Sequence, residues 1–324
     1  MEAIVQSAYG GPEVLESAEV PAPTIDDEHQ VLIRVRASSV NPADWVMLTG
    51  TPYLARPSLG LRRPRNRIPG KDVAGTVEAV GSAVTRVAVG DDVFGELPAG
   101  AYAQYVVADE HAVVTMPPEL SYEEAAAMPV AGLTALQGWQ KAGLAEGQRA
   151  LVIGASGGVG TYAVQLAKAL GAEVTGVCRT RNIELVRGLG ADHVVDYTVD
   201  DPTRTGASYD VVFDLVGHHH WADYDRVLAA DGVLLPCAGY RHGKVLGPMG
   251  WVLGLMARAL RSDRSVKMFI ANQNDEDMAT LSRLVAEGKL RTAIDRQFTL
   301  TETADALRHQ GEGHAQGKSV ISVP

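Results

Sequence analysis

A glycine-rich turn at residues 154–160 is the part of this 324-residue sequence whose spacing points most directly to chemistry. It reads Gly154-Ala155-Ser156-Gly157-Gly158-Val159-Gly160, after an apolar run and at the start of a helical pattern. Glycines allow a tight turn and let the backbone approach a pyrophosphate, while a helix N-terminus offers free N–H groups to that anion. The pattern predicts a dinucleotide site formed by Ala155, Ser156, Gly157, Gly158 and Val159. The alternative is a tight turn that binds no nucleotide.

The end of the next predicted strand indicates which dinucleotide binds. There the chain reads Arg179-Thr180-Arg181, with two arginines and no acidic residue. A site for NADH usually has a carboxylate about 20 residues past the glycines, where it binds the ribose 2′-hydroxyl. Guanidinium groups instead pair with a 2′-phosphate, which a carboxylate would repel. These residues therefore favour NADPH over NADH, unless both arginines simply begin a surface helix.

Ligands for a metal ion are scarce in the sequence. The chain has two cysteines, Cys178 and Cys237, and both lie in apolar runs typical of strands. They cannot form a four-cysteine zinc site, and we expect them to pack as small apolar side chains. The run His218-His219-His220 cannot converge on one ion because its members are consecutive, and it is predicted to begin a helix. No metal site is predicted.

Composition and charge exclude several classes of function. The formal net charge is −10, whereas general nucleic-acid binding needs a cationic surface. No apolar run reaches the ~20 residues of a membrane span, and residues 1–5 show a strand pattern rather than a signal peptide. We therefore expect a cytoplasmic protein. One basic segment is either a solvated loop or a local anion site, such as one for a phosphorylated ligand. Its arginines are Arg56, Arg62, Arg63, Arg65 and Arg67.

The periodicity of apolar residues changes once along the chain. Residues 1–120 contain short alternating runs separated by glycine and proline, which predict a β-barrel or sandwich. From Ser121 to residue 271, apolar strands alternate with helical patterns, which predicts a doubly wound parallel sheet. A last strand at 318–323 is expected to return to the N-terminal domain. The predicted fold class is thus α/β, with domains 1–120 plus 272–324 and 121–271.

Several motifs resemble those of one family. They are Asn41-Pro42-Ala43-Asp44, Pro69-Gly70-Lys71-Asp72-Val73-Ala74-Gly75, Gly132-Leu133-Thr134-Ala135, the glycine-rich turn, Leu189-Gly190-Ala191-Asp192-His193-Val194-Val195-Asp196-Tyr197, and Gly313-His314-Ala315-Gln316-Gly317-Lys318. Over nearly its full length the chain resembles the medium-chain dehydrogenase/reductase superfamily, and within it the zinc-independent quinone oxidoreductases related to ζ-crystallin. The resemblance implies a GroES-like catalytic domain, an inserted Rossmann domain and an active site in the cleft. Zinc-dependent relatives have cysteine and Gly-His-Glu where this chain has Asn41 and Gly70-Lys71-Asp72.

The resemblance also implies roles for individual residues. Asn41 and Asp44 should lie near the nicotinamide and the substrate, and Thr134 should approach the nicotinamide. Arg181 and Tyr197 should flank the 2′-phosphate. Residues expected to line or back the cofactor are Gly217, Ala238, Gly239, Met268, Phe269, Ile270 and Lys318. Quinone-reducing relatives often have tyrosines just after the first motif, whereas Trp45 follows it here. Tyr53 is then either the proton donor or only part of the pocket lining.

Without zinc to polarise an alcohol, the resemblance implies hydride transfer from NADPH to a quinone or an activated, enone-type C=C bond. Two alternatives stay open: a zinc-independent alcohol or ketone oxidoreductase, and an NADPH-binding protein without catalytic activity. The resemblance also implies that two Rossmann sheets pair edge to edge through a predicted strand at residues 266–271. An exposed sheet edge there would need covering, so a homodimer is expected.

Overall fold

The computed structural model describes residues 1–237, 243–313 and 315–324. The chain forms two compact units, one made of Met1–Leu133 with Asn272–Pro324 and the other of Thr134–Ala271. The first unit thus extends past the boundary predicted at residue 120, and it resumes at residue 272.

The strands and helices of the described residues have the following bounds. The strands are β1 (Glu2–Gln6), β2 (Leu15–Glu19), β3 (Gln30–Ser39), β4 (Asp72–Val80), β5 (Asp92–Glu96), β6 (Tyr105–Asp109), β7 (Val113–Thr115), β8 (Arg149–Ile153), β9 (Glu173–Cys178), β10 (His193–Asp196), β11 (Tyr209–Asp214), β12 (Leu228–Pro236), β13 (Ser265–Val266), β14 (Ile294–Thr299) and β15 (Lys318–Ser322). The helices are α1 (Pro42–Thr49), α2 (Arg56–Leu59), α3 (Tyr122–Ala126), α4 (Pro129–Ala142), α5 (Gly158–Ala169), α6 (Ile183–Gly188), α7 (Trp221–Val227), α8 (Met249–Ala259), α9 (Asp275–Ala286) and α10 (Thr303–Glu312). None of these helices combines the length and apolar character needed to cross a bilayer.

The main sheet of the first unit is mixed, with strand order β14-β15-β3-β4-β5-β7 and β6 paired to β3. Its central strand β3 buries Val31, Ile33 and Val35 on one face, as the alternating pattern predicts. Strand β15 lies antiparallel to β3, with Val320 opposite Ser39. The end of the chain therefore brings Lys318 to the part of β3 that leads into Asn41.

Helix α3 explains why the first unit extends beyond residue 120. It begins with a capping box in which Ser121 Oγ accepts the Glu124 N–H at 3.2 Å and the Glu124 carboxylate accepts the Ser121 N–H at 2.9 Å. Ala125 and Ala126 are buried, and the helix packs on β3 and β4. The helical pattern at Ser121 thus marks a helix that packs on the first sheet, not the start of the second unit.

The second unit contains a parallel sheet with strand order β10-β9-β8-β11-β12-β13 among the described residues. Counted within this unit, the order is 3-2-1-4-5-6, which is that of a Rossmann fold. The predicted α/β fold class is therefore confirmed. Strands β8, β9 and β10 lie within residues 121–271, where apolar strands are predicted to alternate with helices.

The edge of this sheet differs from the prediction. A strand was expected over residues 266–271, but β13 covers only Ser265–Val266. Its partner β12 ends at Pro236, two residues after the pair Leu234–Val266. Because proline carries no backbone N–H, the ladder has no donor with which to continue.

Candidate functional site

The glycine-rich turn connects β8 to α5, and the fold constrains its glycines in different ways. Gly154 has a φ of +90°, a backbone conformation that favours glycine. A Cβ atom on Gly160 would lie 2.1 Å from the Gly154 carbonyl oxygen, so Gly160 lets α5 pack against the turn. Gly157, the N-cap of α5, has an ordinary φ of −82°, and its nearest neighbour to an added Cβ is 3.5 Å away. Protein packing therefore does not require glycine at 157.

The ends of β9 and β10 bring together three predicted residues. The Arg179 Nε donates to the Tyr197 hydroxyl at 3.2 Å, and the Tyr197 N–H donates to the Cys178 carbonyl at 3.1 Å. The Thr180 hydroxyl lies 3.0 Å from that of Thr198. A guanidinium and a phenol group thus lie together at the edge of the sheet formed by the carboxyl ends of β9 and β10. Arg181 follows, exposed, in the next turn.

The same edge carries a carboxylate that the prediction did not consider. Hydrogen bonds from the hydroxyls of Thr180 and Thr198 lower the pKa of Asp196. Its negative charge would oppose a bound phosphate, but the two arginines outnumber it. A buried hydrogen bond of 2.7 Å from Asn182 Nδ2 to Ser156 Oγ also ties this loop to the glycine-rich turn.

Asp214, at the end of β11, positions the turn that contains Gly217. Its Oδ1 accepts the N–H groups of Val216 at 2.8 Å and Gly217 at 3.0 Å, and its Oδ2 accepts the Tyr224 hydroxyl. Burial first, and then the charge of Asp214, raise the pKa of Tyr224, so this phenol stays protonated. Gly217 has a φ of +78°. The sequence offered one signal for Asp214, an acidic residue at the end of an apolar run.

The remaining residues predicted to contact the cofactor are more scattered. Thr134 is buried in α4, and the Phe269 ring lies 6.1 Å from that of Phe213 on β11. Met268 is 38% exposed and Ile270 is 77% exposed, so neither is part of the core. Ala238 and Gly239 lie outside the described residues.

In the first unit, Asn41 belongs to a buried polar cluster centred on Asp72. Asn41 Nδ2 and Ser39 Oγ donate to Asp72 Oδ2 at 2.8 and 2.5 Å. The Lys318 ammonium donates to Asn41 Oδ1, to the Val40 carbonyl at 3.1 Å and to Asp72 Oδ2 at 3.3 Å. Asp72 and Ser39 are fully buried, and Asn41 and Lys318 nearly so. The sequence motifs included Asp72 but did not predict its pairing with Lys318.

Lys318 is therefore bonded to protein acceptors in this structure, and its predicted contact with the cofactor stays a prediction. The other oxygen of Asp72, Oδ1, accepts the Val130 N–H at 2.9 Å in the first turn of α4. Asp72 thereby joins the segment of Asn41, the C-terminal strand and helix α4, the helix that carries Thr134.

The donor set of this cluster does not suit a divalent metal ion. The oxygens of Asn41 and Asp72 already accept from an ammonium group, and Lys71 is paired with Glu96. Within the described residues, no group of three or more His, Cys, Asp or Glu side chains is arranged to hold a metal. Burial raises the pKa of the Cys178 thiol to about 11 and that of Cys237 to about 12, so neither is a thiolate near neutrality.

Asp44 lies next to this cluster and has an unusual environment. Its Oδ2 accepts the Asn41 N–H at 2.8 Å, while its Oδ1 is buried and has no hydrogen-bond partner among the described residues. Burial, followed by the charge of Asp72, raises its pKa to about 7, against smaller opposite effects of Lys318 and Lys71. Tyr102, also buried, has a pKa well above its ordinary value because of burial and the nearby Asp44. Asp44 is therefore only partly ionised near neutral pH.

Replacing Asp44 with asparagine should change how stability depends on pH. In the unfolded chain the carboxyl ionises near pH 3.8, whereas in the fold it keeps its proton to about pH 7. The free energy of unfolding contributed by Asp44 therefore falls as pH rises through this window and is level above it. One pKa unit corresponds to about 1.4 kcal/mol. As pH rises through the window, the free energy of unfolding of Asp44→Asn should therefore increase relative to that of the wild type by at most about 4 kcal/mol.

Urea denaturation below pH 4 and above pH 7 measures this difference. Asp26→Asn, which neutralises an exposed carboxyl, is the control and should show no comparable gain. An equal Asp44→Asn effect at both pH values would mean that the pKa of Asp44 is not raised in the fold.

Tyr53 lies apart from the buried cluster. It is 46% exposed, and its ring stacks 4.5 Å from the Arg56 guanidinium carbon in the loop after α1. The structure thus does not place its hydroxyl among the groups around Asp72.

Comparison with known proteins finds family models that match residues in both units. Residues 27–118 match the family described as alcohol dehydrogenase GroES-like domain, and residues 189–321 match the one described as zinc-binding dehydrogenase. The chain is 35% identical to a chloroplast envelope quinone oxidoreductase homolog of Arabidopsis thaliana, over 99% of this chain and 98% of that one. The chain belongs to the medium-chain dehydrogenase/reductase superfamily.

Within this superfamily it falls in the quinone oxidoreductase branch, as the motifs predict. A solved quinone oxidoreductase from Coxiella burnetii superposes with a TM-score of 0.87 at 31% identity, covering 100% of this chain and 99% of that one. The NADPH-dependent alkenal/one oxidoreductase of Arabidopsis thaliana is 31% identical over 99% of this chain and 79% of its own length. This member of the superfamily is therefore an oxidoreductase enzyme with a nicotinamide cofactor.

Proposed function

We propose that this enzyme reduces quinones or enone-type C=C bonds with NADPH and without a metal ion. The observation that carries the proposal is the Lys318 ammonium bonded to Asn41 and Asp72, at the positions where zinc-dependent relatives have metal ligands. A cation held between these oxygens leaves no donor set for zinc. Without a Lewis acid, the acceptor must already be electrophilic, as quinones and enones are.

The residues of the second unit suit NADPH. The pyrophosphate would bind in the open space at Gly157, at the N-terminus of α5. The 2′-phosphate would bind Arg179, Arg181 and Tyr197. When bound, NADPH supplies a hydride, and the acceptor takes up one proton. The further residues proposed to contact the cofactor are Thr134, Ala155, Ser156, Gly158, Val159, Thr180, Gly217, Ala238, Gly239, Phe269, Ile270 and Lys318.

The residues of the first unit are proposed to act on the acceptor. Asn41 and Asp44 would lie toward it, with Asn41 oriented by its hydrogen bonds to Asp72 and Lys318. Tyr53 would either donate the proton or line the pocket. Its exposed hydroxyl and its stacking on Arg56 favour the lining role.

Steady-state oxidation of NADPH tests the function. The panel is a benzoquinone, an α,β-unsaturated ketone, a saturated ketone and an aldehyde, each with and without a chelator. We expect turnover with the first two only and no effect of the chelator. Turnover confined to the saturated carbonyls, or lost with the chelator, would favour the alcohol or ketone class. Tight NADPH binding without turnover of any acceptor would indicate a non-catalytic protein.

Replacing Arg181 with aspartate should lower the affinity for NADPH by about 10- to 100-fold and leave that for NADH nearly unchanged. A charge-assisted hydrogen bond contributes about 1.5–3 kcal/mol, and each 1.4 kcal/mol is a factor of ten. Fluorescence titration with both cofactors measures the ratio.

Arg187→Asp is a matched control, because Arg187 is an exposed arginine of α6 paired with Glu184. It makes the same charge change beyond the predicted phosphate site. If both variants lose NADPH affinity equally, the effect is long-range charge and Arg181 has no specific role.

The quaternary structure is proposed to be a homodimer formed through the edge of the Rossmann sheet. Strand β13 is short and at the edge, and nearby Leu253, Leu260 and Ile270 are 55%, 87% and 77% exposed. Such an edge and apolar surface call for a cover. Sedimentation at micromolar concentration should show a dimer. A cytoplasmic location remains a prediction.

A further inference from the structure

The segment between Asp44 and Asp72 is strongly basic in an otherwise acidic protein. It contains five arginines and Lys71 and no acidic residue, whereas the chain has 39 acidic and 29 basic residues. Lys71 is paired with Glu96. Within residues 1–237, 243–313 and 315–324, four of the arginines form no ion pair with a carboxylate, and all four are exposed. They are Arg62, Arg63, Arg65 and Arg67.

The fifth arginine holds the base of this loop. The Arg56 guanidinium carbon lies 4.7 Å from the centre of the Tyr9 ring and 4.5 Å from that of Tyr53, and its Nε donates to the Gly50 carbonyl at 2.9 Å. The Tyr9 hydroxyl donates to the Gly60 carbonyl at 2.6 Å. A cation between two aromatic rings is a stabilising arrangement. The base of the loop is therefore anchored to the first unit.

The tip combines charge with exposed aliphatic side chains. A backbone hydrogen bond of 2.7 Å from Arg65 N–H to the Leu59 carbonyl closes a turn over residues 60–64. Within this turn Leu61 is 70% exposed and is followed directly by Arg62 and Arg63. At the base, Leu54 is 55% exposed. The tip therefore presents an exposed apolar side chain directly beside two exposed guanidinium groups.

We propose that the loop of residues 50–69 docks on the surface of an anionic lipid bilayer. The arginines would bind phosphate headgroups, and Leu61 would enter the boundary between headgroups and acyl chains. A small phosphorylated ligand or an acidic protein would use the charges but would not require the exposed leucine at the tip. Long-chain quinones dissolve in bilayers, so docking would bring the enzyme to them, a consequence that rests on the proposed quinone acceptor.

Vesicle sedimentation with the full chain tests the docking without any acceptor. The protein should bind vesicles that contain phosphatidylglycerol, bind poorly to phosphatidylcholine alone, and dissociate as salt is raised. The double variant Arg62→Glu/Arg63→Glu should bind at least about tenfold more weakly, because each basic residue at such a surface contributes appreciably. Leu61→Ser, which keeps every charge, should weaken binding several-fold.

The matched control is Arg204→Glu/Arg308→Glu, which makes the same change in net charge at exposed arginines elsewhere. It should retain most of the binding. Binding that is absent, equal on neutral vesicles, or unaffected by Arg62→Glu/Arg63→Glu overturns the proposal. Vesicle binding that Leu61→Ser leaves unchanged, together with binding of this variant to polyglutamate, also overturns the proposal. That result would indicate an acidic protein partner. Displacement by inorganic phosphate at matched ionic strength would indicate a free-phosphate site instead.

Discussion

Replacing Lys318 with methionine is expected to lower the free energy of unfolding by about 3–5 kcal/mol, the range for breaking a buried ion pair by removing one partner. Lys318 is 3% exposed and donates to three acceptors, one of which belongs to the fully buried Asp72. Methionine keeps the length of the side chain but leaves the carboxylate without its counter-charge. Urea denaturation measures the loss.

Two further variants test whether the loss of stability comes from the buried ion pair. Lys168→Met removes a lysine whose partner Asp192 is partly exposed, and it should cost less than about 1 kcal/mol. Lys318→Met/Asp72→Asn should recover part of the loss, since the unpaired charge is removed as well. If Lys318→Met costs no more than Lys168→Met, the cluster does not stabilise the fold. NADPH affinity of the folded Lys318→Met protein tests the predicted contact with the cofactor separately.

Replacing Gly157 with alanine is expected to reduce NADPH affinity by about 10- to 100-fold while the fold keeps its stability. The added methyl would meet only the Gly154 carbonyl at 3.5 Å, and the φ of −82° is ordinary for alanine. A pyrophosphate against the backbone would instead be pushed away, and overpacking of about 1–3 kcal/mol corresponds to this loss of affinity. Isothermal titration and urea denaturation measure the two effects.

Gly160→Ala provides the contrast within the same turn. Its methyl would lie 2.1 Å from the Gly154 oxygen and 2.8 Å from Ala155 backbone atoms, so the protein itself must distort. We expect a large loss of stability for this variant. An unchanged NADPH affinity in Gly157→Ala would mean that the cofactor does not approach the backbone there and would contradict the proposed site.

The residues proposed to bind the cofactor show what local sequence can reveal. The turn at 154–160 and the arginines after β9 follow apolar strands at short range, so their positions follow from the strand pattern itself. The meeting of Arg179 with Tyr197 depends on β9 and β10 being parallel neighbours, which the sheet shows. By contrast, no periodicity marked Asp214 as the residue that holds the Gly217 turn, because its role rests on side-chain geometry.

By itself, the sequence determined the alternation of strands and helices, the α/β class and the glycine-rich turn, because these depend on neighbours a few residues apart. Only the tertiary structure decided that Lys318 pairs with Asn41 and Asp72, since these residues are 277 and 246 positions apart and carry no shared local pattern. It also decided that β13 ends after two residues, because that depends on Pro236 in a partner strand. Long-range pairing of buried polar groups is set by which strands become neighbours, and a single chain's periodicity does not record that choice.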